Sequence, residues 1–209
     1  MVVNKKIVIS IVIIIVVLIL AASGFFCWRE IKETPPEDWL LAESSSPEDY
    51  IIKEAPEGNF VENKKAGLSF KIPEGWRIEK PLYLGVRLYS PDGVEWRTAF
   101  MQSGCRIIPN VTEITTSIET LEKELRKNNF LLSPSLDTYE IIKVANRKAL
   151  KNVVEEKEKL NTYQVRIYIP TKDLFSENKL YSLELTTTPN DAGQCIQEFD
   201  KFLETILIK

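Results

Sequence analysis

The chain has 209 residues, 44% of them hydrophobic and 27% charged, with a formal net charge of −3 and no histidine. That balance suits one folded domain plus an appendage and offers no basic footprint for nucleic acid. The missing histidine removes Ser-His-Asp and Cys-His nucleophiles, histidine bases and every metal site that needs imidazole.

The appendage comes first. Ile7 to Trp28 is a 22-residue stretch without a charged side chain, and apart from Ser10 its first fourteen positions are Ile, Val and Leu. As a helix it would be roughly 33 Å long, matching a hydrocarbon core of about 30 Å. Lys5 and Lys6 precede it, whereas Arg29, Glu30, Lys32, Glu33, Glu37 and Asp38 follow. The positive-inside bias then puts the N-terminus in the cytoplasm and the rest of the chain outside, as a single-pass cell-membrane protein. A cleaved signal peptide is the competing reading, because Ala21-Ala22-Ser23 resembles a processing site. The apolar continuation through Phe25, Phe26, Cys27 and Trp28 favours an anchor, and bulky aromatics before Cys27 do not suit a lipobox.

Residues 29–59 carry nine acidic residues, three basic ones, four prolines and the run Ser44-Ser45-Ser46, the composition of a mostly disordered linker. Two apolar clusters interrupt it, Trp39-Leu40-Leu41 and Tyr50-Ile51-Ile52. Each reads as a short helix or strand packing back on the domain, with a partner-docking motif as the alternative.

Residues 60–209 form the expected domain, with 22 basic and 21 acidic residues and therefore no steering field. Leu68, Phe70 and Ile72 alternate with polar positions and stop at Pro73-Glu74-Gly75, as a half-buried strand meeting a turn. Runs at 86–90 and 94–101 flank Pro91-Asp92-Gly93, a hairpin signal. A helix is predicted from a Thr116/Glu119 capping box to Asn128-Asn129, with Ile118, Leu121 and Leu125 on one face. Strands are expected at 139–144, 149–155, 162–169 and 180–188. Asn190-Asp191 then reads as the cap of a final helix whose stripe is Ile196, Phe199, Phe202, Leu203, Ile206 and Leu207. Hairpin-linked strands with two helices predict an α+β fold on a largely antiparallel sheet.

The segment Asn63 to Trp76, with Gly67, Pro73, Gly75 and Trp76 as its landmarks, resembles the opening of PsbP-like domains. The strand Leu180 to Leu185 and the capped terminal helix resemble that family's ending. The resemblance implies a central antiparallel sheet flanked by helices on both faces, an α/β/α sandwich. It also implies a binding or assembly module, since relatives include extrinsic photosystem II subunits and membrane-tethered bacterial proteins. It carries over no active-site residue. The anchor and acidic tether depart from the photosynthetic members and weigh against a photosystem role.

Candidate chemistries are few. Glu155, Glu156 and Glu158 sit among lysines where a solvated hairpin turn is expected, and no calcium loop, P-loop or GxGxxG turn occurs, so no catalytic residue, metal or cofactor is expected. Asn110-Val111-Thr112 is a formal glycosylation sequon. Cys27 ends the anchor. Cys105 and Cys195 are the candidate disulfide in an oxidising compartment, closing a loop of about 90 residues, with two separately buried thiols as the alternative. The reading is a membrane-anchored, extracytoplasmic, non-enzymatic module of the cell envelope with an envelope protein partner. The alternatives are a carboxylate-dependent hydrolase of envelope polymers and a self-associating surface protein.

Overall fold

The structure is a computed structural model that describes residues 45–56, 58–81, 85–96, 100–113, 116–129, 138–156, 161–171 and 178–209. The anchor, Trp39-Leu40-Leu41, Cys27 and Glu158 lie outside the described residues. Among the described residues no helix is long and apolar enough to cross a membrane.

The strands form two main antiparallel sheets. Four of them, β1 (Tyr50–Lys53), β2 (Phe60–Asn63), β3 (Leu68–Lys71) and β13 (Leu207–Ile208), make the smaller sheet in the order β1-β2-β3-β13. The larger sheet takes β4 (Arg77–Glu79), β5 (Arg87–Tyr89), β8 (Cys105–Thr112), β9 (Thr138–Val144), β10 (Arg147–Glu156), β11 (Thr162–Thr171) and β12 (Lys179–Thr187), in the order β4-β5-β8-β12-β11-β10-β9. Strands β6 (Val94–Glu95) and β7 (Met101–Ser103) form a separate hairpin, and the helices are α1 (Ile118–Asn129) and α2 (Ala192–Glu204).

Alternation along the strands sorts the larger sheet into two faces. On the inner face Leu88, Ile107, Val165, Ile167, Leu183 and Leu185 join Val61, Leu68 and Phe70 of the smaller sheet and Phe199 and Phe202 of α2 in one core. Phe70 and Phe202 meet edge to face at 5.4 Å, a geometry that adds about 1 kcal/mol beyond burial. On the outer face Leu121 and Leu125 of α1 cover Leu150, Tyr168 and Leu180 in a smaller cluster. Helices therefore flank the larger sheet only in part, because a second sheet supplies much of one covering layer. That sheet includes Tyr50, which is fully buried and opens β1 within the stretch read as linker, so Tyr50-Ile51-Ile52 packs back as a strand.

Several local expectations need correction. The turn at Pro91-Asp92-Gly93 forms, with the Gly93 N–H donating to the Ser90 carbonyl at 2.9 Å, but its flanking runs do not pair. Instead β5 pairs with β4 and β8, while β6 leaves the sheet to pair with β7. Strand β8 was missed because Pro109 interrupts its pattern; β5 reaches only to Ile107, so the proline sits where the strand has lost that neighbour. Helix α1 is capped by Ser117, whose hydroxyl accepts from the Thr120 N–H at 3.2 Å, and not by Thr116, which donates to the Ser117 carbonyl. Helix α2 stops before Ile206 and Leu207 because the Thr205 hydroxyl donates to Phe202 O at 2.8 Å and accepts from the Lys71 N–H at 3.1 Å. The chain then turns into β13.

Candidate functional site

A layer of charge crosses the outer face of the larger sheet, beside the patch that α1 covers. Register sets it. Arg166 of β11 lies opposite Glu184 of β12, and Arg106 of β8 lies between Thr186 of β12 and Tyr89 of β5. Arg106 is buried, with its Nη1 donating to Glu95 Oε1 at 2.7 Å and its Nη2 to Thr186 Oγ1 at 3.3 Å. The Glu95 carboxylate also accepts from the Tyr89 hydroxyl and, at 3.5 Å, from Arg87 Nη1. Glu184 Oε2 accepts from Arg166 Nε at 3.2 Å and its Oε1 from Thr186 Oγ1 at 3.0 Å, 4.0 Å from Arg106 Nη2.

The physical chemistry of this layer is that of a scaffold. Burial, then the hydrogen bond to Glu95, pushes the Tyr89 phenol up. Burial works against the Arg166 charge, but the Glu184 carboxylate outweighs it and the net shift is upward. Glu95 and Glu184 are the carboxylates of this layer, and all four of their oxygens accept from arginine, tyrosine or threonine donors. A glycosidase needs instead a pair facing substrate across a cleft. Such a network specifies strand register and pins the β6–β7 hairpin over the sheet more than it adds net stability. At its far end Asn152 is fully buried opposite Arg166, and its Oδ1 has no hydrogen-bond partner.

The second feature is a groove of about 750 Å³ at the open side of the fold. One wall is β9, through Glu140, Ile142 and Val144, and the other is α2 and β13, through Leu203, Leu207 and Ile208. Among the described residues both strands are sheet edges, since β9 pairs only with β10 and β13 only with β3. Ala145 and Asn146, both with positive φ (50° and 61°), form the two-residue turn that joins β9 to β10.

The residues singled out from the sequence lie elsewhere. Cys105 at the start of β8 and Cys195 in the first turns of α2 are brought together as a disulfide with Cα atoms 5.6 Å apart, and the Thr187 hydroxyl donates to Cys195 Sγ at 3.1 Å. Gly67 adopts φ +73°, and a Cβ there would come within 2.9 Å of the Lys209 carbonyl. Pro73 and Trp76 close a turn, with the Trp76 N–H donating to Pro73 O at 3.1 Å; with Gly75 they line a separate surface cleft of about 430 Å³. Glu155 and Glu156 are not in a turn but in β10, paired with Tyr163 and Thr162. Asp191 stands at the cap of α2, but its Oδ2 accepts from the Gly104 N–H and the Thr188 hydroxyl, both at 2.9 Å, and not from the helix. Asn110 lies inside β8, opposite Ser182. The charged layer was not found from sequence: charges alternating along a strand look solvated until pairing shows which ones meet.

LpqN of Mycobacterium tuberculosis, a protein involved in cell envelope biogenesis, matches with a TM-score of 0.51 at 11% identity, over 80% of this chain and 91% of that one. The fold is PsbP-like. The cyanobacterial PsbP of Synechocystis sp. PCC 6803 is also similar, with a TM-score of 0.46 at 12% identity over 72% of this chain and 91% of that one. No family model matches the sequence, and no curated protein matches it.

Proposed function

We propose that the chain is a membrane-anchored, extracytoplasmic binding or assembly module of the cell envelope and not an enzyme. A transmembrane helix over residues 7–28 precedes the folded part, which acts by holding a protein partner. The observation that carries this reading is the likeness to LpqN, a protein of cell envelope biogenesis, over 91% of that chain. The disulfide between β8 and α2 suits an oxidising compartment, and the paired carboxylates of the charged layer suit a scaffold.

The test is a pull-down of the full chain from gently solubilised membranes, after carbonate washing and protease treatment of intact cells. The expected result is a carbonate-resistant protein that is cut from outside and brings an envelope protein with it. Release by carbonate would remove the anchor, and recovery without an envelope partner would remove the binding role.

A further inference from the structure

The smaller sheet has an inward and an outward face. Tyr50, Val61, Leu68 and Phe70 point into the core, so the residues that alternate with them point away from it. Register lays the outward residues in two rows. One runs Ile51, Glu62, Ser69, Leu207 across all four strands, and the other runs Lys53, Phe60, Lys71 across three. Ile51 and Leu207, at the two ends of the first row and about 14 Å apart at the usual strand spacing, are 47% and 58% exposed.

Charge on this face is one-sided. Glu62 pairs with Lys53, and the other charges that act on its carboxylate are those of Lys64, in the turn before β3, and Lys209, after β13. The Lys53 hydrogen bond first, and then these three ammonium groups, hold the Glu62 carboxyl below its usual range. Lys71 adds a fourth cation in the second row, so four lysines stand against one glutamate. The acids nearest along the chain, Asp49, Glu54 and Glu74, lie beyond the strand ends, and Glu204 ends α2. Lys71 also lines the cleft of about 430 Å³ that holds Glu74 and Trp76, which places an aromatic of the kind enriched at bilayer surfaces beside the same lysine.

We propose that this face lies on the surface of an anionic bilayer, with its lysines over lipid phosphates and with Ile51 and Leu207 between the headgroups. A flat strand face offers no groove for a peptide, whereas two isolated apolar side chains suit a fluid surface that closes around each one. Lysines near an anionic leaflet attract it within a Debye length, so the contact is sensitive to salt. The proposal rests on the envelope reading for bringing the face to a bilayer. Sixteen residues, 29–44, separate the anchor from Ser45, and β1 follows five residues later; even fully extended they reach only about 55 Å. The face is thereby held near its own membrane.

The test uses the full chain in lipid nanodiscs, with Cys27→Ala and an environment-sensitive dye on Ile51→Cys. With about a third of the lipid as phosphatidylglycerol, the dye is expected to be blue-shifted and at least twofold brighter than in phosphatidylcholine alone. The difference is expected to vanish in about 0.5 M salt, where the Debye length falls to roughly 4 Å. Lys53→Gln, Lys71→Gln and Lys209→Gln together are expected to abolish it at an unchanged urea midpoint. Equal signals in the two kinds of disc, or a difference that survives salt, overturn the proposal. A signal that rises in phosphatidylcholine discs only when polyglutamate is added also overturns it, by assigning the face to an acidic polypeptide. Carbonate release of the chain removes the anchor alone, because the dye on the released chain still reads the face against phosphatidylglycerol vesicles: brightening there upholds the proposal and a flat signal ends it.

Discussion

Tyr181 on β12 donates its phenolic hydrogen bond to the backbone carbonyl of Ala66, 2.6 Å away and 115 residues earlier in the chain. That bond ties the larger sheet to the loop before β3, and both residues are buried. Tyr181→Phe keeps the ring and leaves the carbonyl without this donor. The expected cost is about 1 kcal/mol, read as a lower urea midpoint at unchanged m-value.

Arg106 holds the centre of the charged layer. Arg106→Met removes the cation and leaves Glu95 and Glu184 without their shared partner, for an expected loss of about 3 kcal/mol in denaturant unfolding. By contrast Lys53→Ala, at an exposed end of the Lys53–Glu62 pair, is expected to cost about 0.5 kcal/mol or less. Equal losses at the two sites would show that the layer is not a buried network.

Burial pushes the Tyr50 phenol up to about 12. The unfolded chain gives up that proton near pH 10, so between about pH 10 and 12 the folded state binds more protons and unfolding becomes easier as pH rises. The contribution is complete below pH 10 and lost by about pH 12, worth roughly 2 to 3 kcal/mol. Burial moves Tyr89, Tyr163, Tyr168 and Tyr181 in the same direction. Urea unfolding at pH 9, 10.5 and 12 is expected to show a flatter loss in Tyr50→Phe than in the wild-type chain; parallel curves would refute the assignment to Tyr50.

The cysteine pair offers a direct chemical readout. Mass measurement after thiol labelling of the denatured, unreduced chain is expected to modify Cys27 alone, and reduction to expose all three cysteines. Replacing Cys105 and Cys195 by Ala is expected to cost about 4.6 kcal/mol on the chain-entropy argument for a separation of 90 residues. Free labelling of both before reduction would end the idea.

The turn at Ala145-Asn146 asks an alanine to hold a positive φ of 50°. Ala145 is half-buried against the main core, so Ala145→Gly gives up a methyl contact while it removes that steric cost, and it is expected to stabilise by about 0.5 kcal/mol, seen as a raised Tm. A lowered Tm would show that the methyl group packs usefully there.

What could be read in advance follows from how local each signal is. Strands such as β10, β11 and β12, and the apolar stripe of α2, announce themselves in their own residues. Of the smaller sheet β3 does so through Leu68, Phe70 and Ile72, whereas β2 and the two-residue β13 show no periodic pattern of their own. The pairing of β13 also depends on a partner far along the chain, Leu207 with Ser69. The charged layer was hidden for the same reason, since Glu95, Arg106 and Glu184 become neighbours only when β6, β8 and β12 are in place. Pro109 concealed a whole strand because a proline that is tolerated next to a missing neighbour looks, in isolation, like a breaker.

The pairing of β13 with β3 also bears on how the molecule comes into being. Synthesis is vectorial, and the strand that finishes the smaller sheet emerges long after the strand it must find. Until then the edge of β3 and the aromatic rings behind it wait uncovered, so the nascent chain faces a late, long-range closure. Crowding around the ribosome is where that interval would be most consequential.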